Sequence, residues 1–119
     1  MDNSETRHRI ESLLAALTDL ESPASDLGTP VLVEIRELDD VVALGLIAVP
    51  HLLSLLSNQP AKKVAYLVLI LNRIGDRKAL GHLRRLRSDY QALNPKDEWD
   101  FAVIGQCNLA IHVLEHQGG

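Results

Sequence analysis

Apolar residues recur every three or four positions along most of the chain, which is the spacing of one face of an α-helix. The first stripe predicts a helix over about residues 5–21. A second helix is predicted to begin at Thr29, whose hydroxyl can cap it ahead of Pro30, and to end at Gly45. The segment between these helices, residues 21–28, has the composition of a connection. The predicted buried residues are Ile10, Leu13, Leu14, Leu17 and Leu20 in the first helix and Val31, Ile35, Leu38 and Val42 in the second.

Three more apolar stripes predict three further helices beyond residue 45. A short helix over about residues 48–57 accommodates Pro50 in its first turn. Another begins at Asp76, an N-cap candidate, and carries arginines on its flanks and back. The last begins at Asn94 and runs to about residue 116. Their predicted buried residues are Val49, Leu52, Leu53 and Leu56, then Leu80, Leu83, Leu86 and Tyr90, then Val103, Cys107, Ala110, Ile111 and Leu114.

Residues 64–71 are apolar on almost every side, which fits either a buried strand or a buried helix. We predict a helix because the pattern extends over residues 61–74, between Pro60 at its start and Gly75 at its end. No partner strand for a hairpin is visible in the sequence. A helix that is apolar all round belongs in the middle of a layered helical structure, covered from several directions.

Composition also favours helices over strands. Leucine supplies 22 of the 119 residues, whereas Phe, Trp and Tyr together supply four. The length fits one domain, residues 1–119, of the all-α class. Cys107 is the single cysteine, which excludes an internal disulfide and a cysteine-based zinc or iron–sulfur site and favours a reducing compartment.

The sequence predicts a cytoplasmic protein that does not contact membranes. Residues 1–9 are polar and mixed in charge, unlike a secretory signal. The longest apolar stretch, residues 41–56, contains Gly45 and Pro50 and is shorter than the roughly 20 residues that cross a bilayer. We expect this stretch to be packed core.

Charge is distributed unevenly around a net value of −4. Residues 1–61 carry three arginines against ten acids, residues 62–87 carry eight Lys and Arg against one acid, and residues 88–119 carry one lysine against five acids. Such a field can orient the encounter with a partner of opposite charge. The alternative is a set of solvated faces with some ion pairs between helices.

Two stretches of the chain align with each other at an offset of 31 residues. Residues 48–57 match residues 79–88 at an Ala, a His, two Leu and a Ser position. A period of about 30 to 40 residues with two helices per unit is typical of helical solenoids. The approximate units are residues 5–45, 46–75 and 76–117.

The same part of the chain resembles HEAT-like repeats, in particular the short repeats named after phycobilisome lyases. Residues 48–56, Ala-Val-Pro-His-Leu-Leu-Ser-Leu-Leu, are similar to the first helix of such a repeat, and residues 74–76, Ile-Gly-Asp, to its closing sequence. Residues 57–64 depart from the family pattern, because they lack its common turn Asp and its Val-Arg pair. The resemblance implies a right-handed α-α superhelix of about three helical hairpins, with six helices.

A binding surface is also implied by this resemblance. In solenoids of this type the second helix of each pair lines the concave face, and Trp, Tyr and Arg often concentrate the binding energy of an interface. The expected function is a non-catalytic scaffold or adaptor, an inhibitor or an assembly factor, that binds an acidic or mixed protein surface. The expected protein-binding residues are Lys62, Lys63, Tyr66 and Arg73, flanked by Arg36 and Trp99.

Several alternatives stay open. Tyr66 and Trp99 would equally well fill the core, and the basic convex face could bind instead of the concave one. Nucleic-acid binding through residues 62–87 is disfavoured by a pI of about 5.7. The resemblance alone suggests a bilin lyase-type subunit. A homodimer is a further option, since three hairpins leave apolar edges at the ends of the stack.

No motif of a known catalytic centre is present, so we expect no catalytic residues, no cofactor and no metal site. His112 and His116 are four residues apart, a spacing that can place two imidazoles on one metal, with Glu115 adjacent. Two ligands on one helix do not make a site, so we interpret them as a polar surface. Cys107 falls on the apolar side of its helix and is expected to be a buried thiol.

Overall fold

The computed structural model describes residues 3–23 and 28–117, and most of these residues are helical. Within them there is no β-strand, which confirms the all-α class. Short 3₁₀ turns at Gly45–Ala48 and Arg77–Ala79 lead into the third and fifth helices. The described part of the chain holds six α-helices: α1 (Asn3–Asp19), α2 (Arg36–Val42), α3 (Val49–Leu55), α4 (Ala61–Ile74), α5 (Leu80–Gln91) and α6 (Glu98–Glu115).

Helix α4 lies at the centre of the molecule. It packs most extensively on α6 and also contacts α1, α2 and α3. Helix α1 packs on α2, and α5 packs on α6. The described helices form a slab whose principal extents are 41, 37 and 23 Å.

Both the ends of α4 and its burial at the centre of the molecule follow from its sequence. Pro60 precedes its first turn, and Gly75 ends it with a φ of 81°, in the left-handed region that glycine adopts without strain. Of the eight residues 64–71, seven are buried and Leu69 is half-buried. The helix predicted here, rather than a strand, is therefore confirmed.

The stripes predicted for α1 and α6 form the two sides of the core. All five residues predicted to be buried in α6 are buried. In α1, Ile10, Leu13 and Leu17 are buried, whereas Leu14 and Leu20 are half-buried. Periodicity identified these faces correctly because both helices are long enough to repeat the pattern over several turns.

The second helix was predicted to begin at Thr29, and this prediction is wrong. Helix α2 begins at Arg36, and Ile35 before it has extended backbone angles. Val31, predicted to be buried, is 44% exposed. The β-branched residues of this segment favour an extended chain, and the backbone N–H of Val33 donates to a side chain of α4 instead of to a helical carbonyl.

Two predicted caps also differ from the structure. Helix α6 begins after Asp97, not Asn94, because the Asp97 carboxylate accepts the N–H of Asp100 while the Asp100 carboxylate accepts the N–H of Asp97. Asp76 does cap a helical segment, accepting the N–H of Lys78, but the segment is the 3₁₀ turn ahead of α5. The predicted connection at residues 21–28 lies partly outside the described residues, which omit 24–27.

Candidate protein-binding site

The segment that joins α1 to α2 runs along α4 and contacts three of the residues predicted to bind a partner. Its described part, residues 20–23 and 28–35, is called the connector below. The Lys62 ammonium donates to the carbonyl of Leu20. Tyr66 and Arg73 contact the connector further along α4, and the chain therefore covers its own predicted binding surface.

Tyr66 is fully buried, which corrects the expectation that it points into an open groove. Its hydroxyl lies 2.9 Å from the Ser22 hydroxyl and accepts the N–H of Val33 at 3.0 Å. Its ring centre lies 6.3 Å from that of Trp99, with the planes tilted by 39°. The alternative in which Tyr66 fills the core therefore describes the structure.

Arg73 holds the far end of the connector. Its guanidinium makes a two-pronged contact with the Glu34 carboxylate, with Nη1 to Oε2 at 2.9 Å, and lies 3.9 Å from Asp39. The hydrogen bond from Arg73 lowers the pKa of Glu34, and the same bond raises the pKa of Arg73. Both side chains are solvated, so the pair positions the connector more than it stabilises the fold.

The remaining predicted residues are dispersed. Lys63 is half-buried on α4, and Trp99 is half-buried against the core. Arg36 is on the surface, with 85% of its side chain exposed and Glu37 3.8 Å away. The structure thus brings Tyr66 and Trp99 together but leaves Arg36 separate from the residues that the connector covers.

A groove of about 680 Å³ lies on a different part of the molecule, between α3 and α5. It forms because α3 packs on α4 whereas α5 packs on α6. Helices α3 and α5 therefore make little contact with each other. Leu56 and Leu86 are buried beneath it, and Leu53 and Tyr90 are half-buried along it. The lining residues are Leu53, Leu56, Ser57, Gln59, Lys78, Gly81, His82, Arg85, Leu86, Asp89 and Tyr90.

Four of the eight Lys and Arg residues in 62–87 are divided between two sides of α5. Arg84 bonds the Glu115 carboxylate, lowering the pKa of that group, and Arg87 bonds the Asn108 side chain at 3.1 Å. Both contacts are with α6. Lys78 and Arg85 instead line the groove, and no carboxylate in residues 3–23 or 28–117 lies within ion-pair distance of either.

Two further groups modify the chemistry of the groove. Burial raises the pKa of the Tyr90 phenol, with smaller contributions from nearby Asp100, Cys107 and Asp97, so its hydroxyl stays neutral and can donate a hydrogen bond. Asp89 adds one negative charge among the cations. The groove therefore combines an apolar floor with a mainly cationic rim.

The sequence contains a pattern that indicates this groove, although the residues expected to bind a partner do not include it. Positions 78, 82, 85 and 89 are spaced by four, three and four residues, which places them on one face of a helix. Among the alternatives left open from the sequence, binding through a basic convex face is the one most similar to this groove. Which helix that face borders could not be predicted, because it depends on the packing of α3 against α4.

A smaller cleft of about 370 Å³ lies between the start of α1 and the start of α3. It is lined by Thr6, Arg7, Ile47, Pro50 and His51. The Thr6 hydroxyl is buried and makes no hydrogen bond. This cleft is smaller than the α3–α5 groove and has fewer lining residues, so it is the weaker candidate for a binding site.

In the described part of the chain, no three His, Cys, Asp or Glu residues are grouped as metal ligands. The His112 and His116 rings lie 4.4 Å apart on the surface, and His116 Nδ1 is 2.8 Å from the His112 carbonyl oxygen. Cys107 is buried, and burial raises the pKa of its thiol to about 12. A group with this pKa is a poor nucleophile at neutral pH.

Comparisons with protein-family models, with curated proteins and with solved structures find no match to this chain. Among the described helices none is by itself long and apolar enough to cross a membrane, and only the pair Arg36–Val42 and Gly45–Leu55, bent by 102°, has the necessary length and composition.

Proposed function

We propose that this chain is a non-catalytic protein-binding module that holds an acidic amphipathic helix of a partner protein in the α3–α5 groove. The observation that carries the proposal is the combination of an apolar floor with the cations Lys78 and Arg85 in one groove. An amphipathic helix can place its apolar stripe on the floor and its carboxylates against the rim. Adaptor, inhibitor and assembly-factor roles all use such a surface.

The kind of partner follows from charge and size. Lys78 and Arg85 lack ionic partners among the described residues, so a partner carboxylate meets them without displacing an existing pair. Asp89 favours one basic residue within an otherwise acidic segment. The groove-facing side of α5 extends over about three turns, which matches a helical segment of about 12 residues.

A HEAT-like arrangement of three hairpins is part of this proposal. The contacts of α4 with both α2 and α6 agree with a layer of second helices. His51 and His82 occupy aligned sequence positions, and each lines a cleft between neighbouring first helices, α1–α3 and α3–α5. Repeated units place equivalent residues in equivalent clefts, which is why this correspondence supports the assignment.

The concave-face residues predicted from the sequence are less suited to the role. Tyr66 contributes no exposed surface, and Arg73 already has a carboxylate partner in Glu34. A partner on this face would have to displace the connector and break these contacts. The α3–α5 groove needs no such rearrangement.

The proposal is tested by selecting binders from a displayed library of random peptides of about 12 residues. We expect enrichment of sequences with Leu at helical spacing and Asp or Glu between, binding with micromolar Kd in fluorescence anisotropy. Lys78→Glu/Arg85→Glu should weaken binding of the enriched peptides at least tenfold, because two attractive contacts become repulsive.

Arg36→Glu/Lys63→Glu is the matched control, since it makes the same change in net charge on α2 and α4. This variant should bind the peptides like the original protein. If it loses binding while the groove variant keeps it, the concave face is the site. Enrichment of basic peptides, no enrichment, or binding of oligonucleotides in place of peptides contradicts the proposal.

A further inference from the structure

Helix α6 presents an exposed apolar face to solvent. Three of the seven large apolar side chains that the described part of the chain leaves exposed lie on it: Phe101 at 54%, Leu109 at 58% and Val113 at 45%. Gly105 lies between them and is also exposed. A Cβ added to Gly105 would meet no atom within 4 Å, so the helix is open to close approach there.

The exposed residues are arranged symmetrically about Gly105. Phe101 lies four residues before it and Leu109 four residues after it, while Glu98 and His112 lie seven residues before and after. Offsets of four and seven fall on the same face of an α-helix. All four flanking side chains are exposed. The face therefore has apolar residues on both sides of a glycine, with an acid at one end and a histidine at the other.

We propose that this face is the contact of a homodimer in which two α6 helices cross antiparallel at Gly105. Under this two-fold symmetry Phe101 packs on the partner subunit's Leu109, and Glu98 faces the partner subunit's His112. The antiparallel orientation also aligns the helix dipoles favourably. Glycine at the crossing point lets the two backbones approach, so that the apolar residues on either side reach each other.

The symmetry of the pattern is what identifies the second copy as the occupant. A two-fold interface must be self-complementary, so each residue and its symmetric counterpart must suit each other. The pairs Phe101 with Leu109 and Glu98 with His112 meet this condition, the first by apolar contact and the second because a carboxylate can accept a hydrogen bond from an imidazole N–H. A helix of this length offers less than the about 800 Å² per partner of a typical stable complex, so we expect a micromolar dimer.

Sedimentation velocity over a range of concentrations tests the dimer. The original protein should shift from monomer to dimer across the micromolar range. Gly105→Glu should leave it monomeric at every concentration, because two side chains and two like charges then occupy the crossing point. The monomer fold is not threatened, since Glu favours helix more than Gly and the position is open.

Gly81→Glu is the matched control. Gly81 is likewise exposed in a helix with no atom within 4 Å of an added Cβ, but it lies in α5 and lines the α3–α5 groove. This variant should dimerise like the original protein. A protein that stays monomeric at all concentrations, or a Gly81→Glu variant that loses the dimer as fully as Gly105→Glu, overturns the proposal.

A charge exchange tests the antiparallel register. His112→Glu should weaken the dimer about two- to tenfold, because it places two carboxylates opposite one another in each of two symmetric pairs. The double variant Glu98→Lys/His112→Glu places opposite charges across the same two pairs and should recover the affinity. Circular dichroism of each variant verifies that α6 remains helical. A double variant that binds as weakly as His112→Glu overturns this register.

Discussion

Tyr66 fixes the connector to α4 through one phenolic oxygen. Tyr66→Phe keeps the ring and its contact with Trp99 but removes the bonds to Ser22 and to the N–H of Val33. The Val33 N–H would lose its acceptor, so we expect the free energy of unfolding to fall by about 1–3 kcal/mol, measured by urea denaturation.

Ser22→Ala is the control for Tyr66→Phe, because it removes one of these hydrogen bonds and leaves the Val33 contact in place. Its loss of stability should be the smaller of the two. If Tyr66→Phe is as stable as the original protein, the phenolic oxygen does not hold the connector.

Cys107 gives the protein a pH-dependent contribution to stability on the alkaline side. Burial raises the pKa of this thiol from 9.0 to about 12 in the folded state. The unfolded chain therefore ionises first, so the contribution is fully present below about pH 9 and is lost as the pH rises towards 12. Cys107→Ala should lower stability overall and should flatten the fall in the free energy of unfolding over this range.

Urea denaturation of both proteins at several pH values measures this difference. Other groups that titrate in the same range are shared by the two proteins, so the difference between the profiles isolates the thiol. Parallel profiles of the original protein and Cys107→Ala would contradict a buried, protonated Cys107.

The start of α6 depends on the reciprocal pair Asp97 and Asp100. Asp97→Ala removes the acceptor for the Asp100 N–H, and we expect a loss of about 1 kcal/mol in the free energy of unfolding. Asn94→Ala, at the cap predicted from the sequence, should change stability by less than about 0.5 kcal/mol because Asn94 is exposed and outside the helix. A larger effect at Asn94 than at Asp97 would show that the helix begins earlier.

Individual elements differed in how far the sequence could define them. Helix α4 was predicted with both ends because Pro60 and Gly75 act through their own backbone preferences, which are local. The start of α2 could not be predicted, because residues 29–35 are held extended by Tyr66 and Arg73, which are distant in sequence. Propensity is a weak guide where a tertiary contact competes with it.

Tertiary contacts also limited how much of the candidate site could be predicted from the sequence. The sequence identified residues 62–87 as basic, but the side of the molecule that each cation occupies depends on packing. Arg84 and Arg87 turn towards α6 and Arg73 binds the connector, whereas Lys78 and Arg85 line the α3–α5 groove. Tyr66, expected on the surface, is buried because the connector covers it.

At the scale of the whole molecule, the surface proposed for partner binding and the surface proposed for self-association are separate. The α3–α5 groove and the exposed face of α6 share no residue. Gly105→Glu should therefore bind the selected peptides like the original protein, whereas Gly81→Glu should lose them and still dimerise. Fluorescence anisotropy and sedimentation velocity on the two variants check this. Loss of both activities in either variant would mean that the surfaces are coupled.

The location of the bound partner is tested most directly by NMR. Amide chemical shifts of isotopically labelled protein are recorded while a selected acidic peptide is added. Binding in the groove predicts the largest shifts at Gly81, His82 and Arg85, with Lys63 and Arg73 nearly unchanged. Largest shifts along α4 and the connector would contradict it and would place the partner on that side of the molecule instead.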